Sequence, residues 1–203
     1  KHLAAGEVRS LAFGDNNTVM VVELGLHEVV SRKVIAKAEK QIADTYGMFY
    51  MRLVRKGVRK VYEPGSTFTI GKAVHLREGK DVTIIASGYC VAEAISAAKI
   101  LQEQGISARV LNMFTWKPLD EQAVIEAAAE TGAIVTAENH NVINGLGSAV
   151  SEVLAKHNPA PVEMVGVQDE FGEVGPVDYL RERFGLTDEN IAAAVHRVLQ
   201  RKH

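Results

Sequence analysis

Apolar positions along the chain alternate between two spacings. Short runs such as Val19-Met20-Val21-Val22, Val82-Thr83-Ile84-Ile85-Ala86 and Ala133-Ile134-Val135-Thr136-Ala137 are nearly continuous in apolar character. That is the pattern of strands covered on both faces, as in a parallel sheet. Between the runs lie longer stretches with apolar residues three and four apart. From about Glu28 to Tyr46, Val30, Val34, Ile35, Ala38 and Ile42 fall on one helical face, and Arg32, Lys33, Lys37 and Lys40 lie away from it. Gly47 ends that helix and Phe49–Val54 reads as the next strand, so the opening resembles the tail of a strand-helix-strand unit.

The rhythm changes between residue 55 and about residue 80. Arg55, Lys56, Arg59 and Lys60, with Arg52 just before, precede the turn residues Glu63-Pro64-Gly65-Ser66. Thr67–Ile70 and Ala73–Leu76 are expected as short strands around Gly71-Lys72. After strand Val82–Ala86 the sequence predicts helix Val91–Gln104, strand Ala108–Met113 and helix Glu121–Thr131, the last capped by Gly132. Strand Ala133–Ala137, helix Gly147–Lys156 and strand Val162–Val167 follow. A short helix near Pro176–Phe184 and a longer one over Thr187–Leu199, with Thr187 as N-cap, close the chain. This alternation predicts an α/β fold with an open, mainly parallel sheet between two layers of helices, preceded by the end of a second α/β domain. The expected division is 1–17 unassigned, 18–55 the end of the first domain, 56–64 a linker and 65–203 the main domain.

Composition narrows the classes. The 203 residues carry 23 Lys+Arg against 25 Asp+Glu, a formal charge of −2, which disfavours a dedicated nucleic-acid binder. Cys90 is the single cysteine, so an intramolecular disulfide or a multi-cysteine zinc site is excluded and a reducing, cytoplasmic setting is expected. No stretch approaches the roughly 18 apolar residues of a membrane span.

In open parallel sheets, ligands bind at loops on the carboxyl ends of the strands. Two such loops stand out: Ser87-Gly88-Tyr89-Cys90, and Glu138 to Ser148. The second contains Gly145, Gly147 and Ser148 at the start of a helix, where amides and the helix dipole would hold a small anion, or the loop is structural. It lacks the spacing of a P-loop or dinucleotide fingerprint. Histidine as a residue type titrates near neutral pH, which makes His140 the best single candidate side chain, and Glu138, two positions away in an extended segment, would share its side and orient the imidazole. The other reading is a histidine at a domain or subunit contact. Arg55, at the carboxyl end of its strand, would grip a phosphate with a two-pronged hydrogen bond, or belong to a solvated basic linker. Arg52 sits inside an apolar run and needs a buried carboxylate partner, or proximity to a site, to be tolerated there. The cluster Arg181-Glu182-Arg183 reads as a solvated helix face.

Several segments match a known pattern. Tyr62 to Ala73, Leu76 to Gly88, Phe114-Thr115-Trp116-Lys117-Pro118-Leu119-Asp120, and Glu138-Asn139-His140 followed by Gly145-Leu146-Gly147-Ser148-Ala149-Val150 resemble the C-terminal domain of the transketolase family. The resemblance is closest to the separately encoded C-terminal section of bacterial split transketolases. It implies that 18–55 is the remnant of a pyrimidine-binding domain and 65–203 the C-terminal domain. It also implies a two-carbon ketol transfer between sugar phosphates, with thiamine diphosphate and Mg held elsewhere. On this reading Arg55, less so Arg52, faces the substrate phosphate, and Ser87, His140, Gly145, Gly147 and Ser148 belong to an effector crevice or an interface. No residue of this chain would be catalytic or hold cofactor or metal. The Gly-Asp-Gly motif and the cofactor-activating glutamate have no counterpart, and residues 1–17 do not match the family. The expected partner is an N-terminal thiamine-diphosphate-binding section or subunit, in a homodimer or heterotetramer without nucleic acid or membrane, and the chain alone is expected to be inactive. Alternatives are a non-catalytic assembly or regulatory small-ligand domain, or the related domain of deoxyxylulose-phosphate synthase or a 2-oxo-acid dehydrogenase β subunit.

Overall fold

A computed structural model describes residues 19–24, 42–44, 46–53, 59–62 and 66–202. Strands β1 (Val19–Leu24) and β2 (Met48–Leu53) come first, then β3 (Val74–Arg77) and β4 (Val82–Ala86). Helix α1 (Cys90–Glu103), β5 (Ala108–Asn112), β6 (Thr115–Lys117), α2 (Glu121–Thr131) and β7 (Ile134–Asn141) follow. The chain continues with α3 (Leu146–His157), β8 (Val162–Val167), α4 (Val177–Arg183) and α5 (Asp188–Gln200).

The main sheet has five strands in the order β3-β5-β4-β7-β8. β5, β4, β7 and β8 are parallel, and β3 runs antiparallel to β5 at the edge. Every residue of β4 and β5 is buried, as their unbroken apolar character requires. The period of two divides them between layers. Ile84 packs with Ala94, Ala97, Leu101, Ile191 and Val195 of α1 and α5. Ile85 packs with Val124, Ala127, Val150 and Leu154 of α2 and α3. Alanines on the inner faces of α1 and α2 let the helices approach the sheet closely.

β4 leads through α1 to β5 on one side, whereas β7 leads through α3 to β8 on the other. The winding reverses between β4 and β7, so the carboxyl ends of these two strands flank the crevice of the sheet. Ser87 and Glu138 stand there.

Three local expectations are corrected. Residues 66–69 are not a strand: their continuation is committed to a turn closed by Lys72 N to Thr69 O at 3.0 Å, and Gly71 N donates to Thr115 Oγ1 at 3.2 Å. β7 runs on to Asn141, past the expected end at Ala137, because Asn141 pairs with Val167. β6 has no sequence periodicity to announce it, yet it pairs antiparallel with β1, through Val22↔Thr115 and Val21↔Lys117. β1 and β2 pair in parallel, so a second, three-stranded sheet β2-β1-β6 draws its third strand from the C-terminal half. Of the helix expected over 28–46, residues 1–17 and the 56–64 linker, only 42–44, 46 and 59–62 fall among the described residues.

Asp120 fastens this junction. Its carboxylate caps α2 by accepting from Ala123 N at 3.3 Å, and it also accepts from Ala73 N at 3.0 Å and Lys72 Nζ at 3.4 Å. At the other edge of the main sheet, Glu163 of β8 accepts from Arg197 at 3.0 Å and Arg201 at 2.6 Å, tying the edge strand to α5.

Burial alone would raise the Glu163 pKa, but hydrogen bonds from Arg197 and Arg201 outweigh it and hold the carboxyl below its ordinary value. A carboxyl with a lower pKa folded than unfolded stabilises the protein above its unfolded pKa, and that contribution fades as pH falls through the folded value. Glu163→Gln is expected to lower Tm by about 2 °C at neutral pH, the scale of a partly exposed ion pair, and by less in acid below the ordinary carboxylate range. Thermal melts followed by circular dichroism at both pH values check this; an equal drop at both would assign the effect to packing instead.

Candidate functional site

The crevice is built on Glu138. This residue has no solvent exposure, and its two carboxylate oxygens accept from Leu146 N at 2.7 Å and Gly147 N at 2.8 Å, the first amides of α3. A helix N-terminus carries unsatisfied amides and partial positive charge, so a carboxylate is the natural occupant. The loop predicted to cradle an anion therefore holds one already, supplied by the chain itself.

That arrangement explains Gly145, and packing against β7 and β8 explains Gly147. A Cβ on Gly145 would collide with Glu138 Oε2 and lie 2.5 Å from the Asn141 carbonyl. One on Gly147 would lie 2.7 Å from Met164 Sδ and 2.9 Å from Thr136 Oγ1. Both glycines are demanded by close approach. Ser148 completes the loop: its hydroxyl donates to the Val142 carbonyl at 3.0 Å and accepts from Asn144 N at 2.9 Å. Ser87 is fully buried at the end of β4, and its amide donates to the Ala137 carbonyl at 3.0 Å, which fastens the two strand ends together.

His140 does not join Glu138. The ladder register shifts between Ala137 and Asn141, which breaks strict alternation, so Glu138 is buried and His140 exposed. Imidazole Nδ1 lies 2.9 Å from the Asn141 carbonyl, and the ring meets Trp116 of β6 edge-on with centroids 5.5 Å apart. Beside it, Arg52 Nη2 of β2 donates to the Asn139 carbonyl at 2.8 Å. Arg52 was expected to need a buried carboxylate or a nearby site; the structure gives it a backbone carbonyl. Together these contacts clasp the three-stranded sheet to the end of β7. Arg55 lies outside the described residues.

Sequence reasoning missed a buried ionic cluster at the start of α1. The Glu93 side chain is 1% exposed and is bridged by Arg59 at 2.5 Å and Arg181 at 3.1 Å. Arg59 also donates to Ser96 Oγ at 3.0 Å. The available signal was a lone acid inside the apolar run Val91-Ala92-Glu93-Ala94, which a solvated helix face does not show. The basic stretch around residue 59 and the Arg181-Glu182-Arg183 cluster, both read as solvated, are in part structural. Burial would lower the Arg181 pKa, but the facing Glu93 outweighs it and raises it. Burial also pushes the Tyr62 phenol up to about 12, against the opposing hydrogen bond from Asn112; Tyr62 and Phe114 bracket Phe68 edge-on, with centroids 4.7 and 5.5 Å away.

Among the described residues no group of three or more His, Cys, Asp or Glu is placed to hold a metal ion. The sequence contains no Gly-Asp-Gly run.

Residues 71–191 match the family model described as transketolase, C-terminal domain. The 6-deoxy-6-sulfo-D-fructose transketolase subunit SqwH of Clostridium sp. (strain MSTE9) is 50% identical over 178 residues, covering 88% of this chain and 55% of the relative. A 1-deoxy-D-xylulose-5-phosphate synthase of Heliobacterium modesticaldum is 44% identical over 128 residues, 63% of this chain and 20% of that enzyme. A split-gene transketolase solved as an inactive β4 tetramer superposes with a TM-score of 0.84 at 44% identity, over 92% of this chain and 59% of that one. The chain thus spans little more than half the length of the transketolase subunits it matches.

Glu138→Ala leaves two buried helix amides without their acceptor, a cost of about 3 kcal/mol. The expected drop in Tm is about 6–12 °C for a domain of this size, with Glu138→Gln, which keeps one acceptor oxygen, falling between. Thermal unfolding of the three proteins checks this; an unchanged Tm for the alanine variant would show that α3 does not depend on the carboxylate.

Proposed function

This chain belongs to the transketolase family, through its C-terminal domain, and we propose that it is the C-terminal section of a transketolase that moves a two-carbon ketol unit between sugar phosphates. The observation that carries this reading is the extent of the match to a transketolase subunit, 178 residues at 50% identity. It reaches well beyond the C-terminal family domain at 71–191. The match to deoxyxylulose-phosphate synthase is shorter, 128 residues.

On this proposal residues 18–55 end a pyrimidine-binding domain and 65–203 form the C-terminal domain. Thiamine diphosphate supplies carbanion chemistry when bound in the complete enzyme, and with Mg²⁺ it is held by an N-terminal partner section, a reading supported by the lack of a Gly-Asp-Gly run in this sequence. The chain's own work is orientation. Arg55 follows β2 and grips the terminal phosphate of the sugar, for which a planar guanidinium is suited. Arg52, three positions earlier, donates to the Asn139 carbonyl and holds the end of β2 against the C-terminal domain. Ser87, His140, Gly145, Gly147 and Ser148 form the wall where the two domains meet, and no residue here acts on the reacting atoms. The complete enzyme works in the cytoplasm, as a dimer of complete units or a heterotetramer. The inactive β4 assembly of the structural relative supports a further part of the proposal: without its partner this chain associates with its own copies and does not turn over substrate.

Calorimetry on the isolated chain is expected to show no micromolar binding of thiamine diphosphate, and adding the N-terminal partner should restore turnover. Micromolar binding by the chain alone would overturn the division of labour. In the complete enzyme Arg55→Ala is expected to raise KM for phosphorylated sugars about 10- to 100-fold, the worth of a charge-assisted pair. An unchanged KM for both donor and acceptor would remove Arg55 from the substrate site.

A further inference from the structure

The turn between β7 and α3 carries the single Asn-Gly pair of the sequence, Asn144-Gly145. Asn144 stands exposed with a left-handed backbone, φ 60°, a conformation that asparagine tolerates better than most residues with a side chain. Ser148 Oγ holds its backbone amide at 2.9 Å, but among the described residues its carboxamide has no hydrogen-bond partner. Asn141, at the start of the same turn, differs on both counts. Its Oδ1 accepts from Ile143 N at 2.8 Å, and the next residue is Val142, whose branched side chain crowds the peptide nitrogen. Gly145 has no side chain with which to crowd its own.

We infer that Asn144 is a site of covalent self-modification, in which the peptide nitrogen of Gly145 attacks the side-chain carbonyl of Asn144. The new bond joins Gly145 N to Asn144 Cγ and closes a cyclic imide. The Cγ–Nδ2 bond breaks, and the side-chain nitrogen leaves as ammonia, taking the proton that Gly145 N gives up. Water then opens the imide at either carbonyl. One opening leaves aspartate. The other leaves isoaspartate, in which the main chain runs through the former side chain. Water is the one co-reactant, and no electrons change hands. Asparagine counts among the thermolabile residue types.

The surroundings give the modification a consequence. Either product places a new carboxylate just before the start of α3, where Glu138 already accepts from Leu146 N at 2.7 Å and Gly147 N at 2.8 Å, so like charges meet there. Isoaspartate also lengthens the main chain by a methylene immediately before Gly145. The backbone has little room to absorb it, because Gly145 is packed so closely that a Cβ on it would collide with Glu138 Oε2 and lie 2.5 Å from the Asn141 carbonyl. The modification therefore loosens the contact between Glu138 and α3.

Ageing the full chain in mildly alkaline buffer, with peptide mapping by tandem mass spectrometry at intervals, tests this. Conversion of amide to acid is expected at Asn144 at least about tenfold faster than at Asn141, with isoaspartate and aspartate resolved by chromatography. Asn144→Gly suits the left-handed backbone and removes the carboxamide. Ageing should lower the Tm of the wild type by about 3 °C relative to this variant aged beside it. A chain aged in urea shows that the reaction is being read. If Asn144 reacts in urea and stays an amide in the folded chain, the fold protects it and the inference fails. Equal conversion at Asn141 and Asn144 would also overturn it, because neither the free carboxamide nor the glycine would then select the site. Conversion at Asn144 with no loss of Tm against Asn144→Gly would overturn the stated effect on α3.

Discussion

The carboxylate of Glu138 is removed from water at the end of β7 and meets the first amides of α3. A buried ionised carboxylate is severely destabilising unless hydrogen bonds and positive potential replace its hydration. A helix N-terminus provides both. Once the carboxylate is there, much else follows. Gly145 can be nothing larger, β7 must deliver its residue 138 into the interior, and the register shift beyond Ala137 turns His140 outward. The same contact settles what this end of the sheet offers a ligand, since two of the amides that would bind an external anion are already occupied.

The end of β2 is mechanically connected to Glu138. Arg52 on β2 reaches the Asn139 carbonyl, one residue from the buried carboxylate, and Trp116 on β6 packs against His140. Asp120 holds the turn before β3 to the start of α2. The two sheets therefore meet through a few backbone-directed bonds placed around the Asn139-His140 segment. A shift of α3 would be felt first by Glu138 and then by the end of β2.

The parallel strands and their covering helices were legible because burial on both faces leaves a continuous apolar signature, as in Val82–Ala86 and Ala133–Ala137, and because Gly132 and Thr187 punctuate helices by known backbone chemistry. β6 was not legible: three residues before a proline carry no period, and their partner lies almost a hundred positions upstream. The carboxylate-imidazole pair failed for a related reason. Two-residue alternation presumes an unbroken ladder, and the break after Ala137 depends on where β8 arrives. Glu93 shows the opposite case: its apolar neighbours marked it as buried, but which arginines would compensate it, Arg59 from before the domain and Arg181 from near its end, depends on tertiary folding. Family motifs located the important loops without revealing that Glu138 serves the fold.

These ion pairs also shape the outer surface. A chain with nearly balanced charge has little long-range field with which to attract partners, and here Arg59 and Arg181 are drawn to a buried acid and Arg183 to two loop carboxylates. Arg181 is three-quarters withdrawn from the solvated face that the sequence suggested, whereas Arg59 stays half exposed while it reaches the same acid. Around α4 the acids stay in contact with water even where Arg183 pairs with them. Charge here is spent on positioning: Arg181 ties α4 to the buried Glu93 of α1, and Arg183 ties it to the loop that precedes it, so the ion pairs at its two faces fix where this short helix lies although none of its own residues is buried.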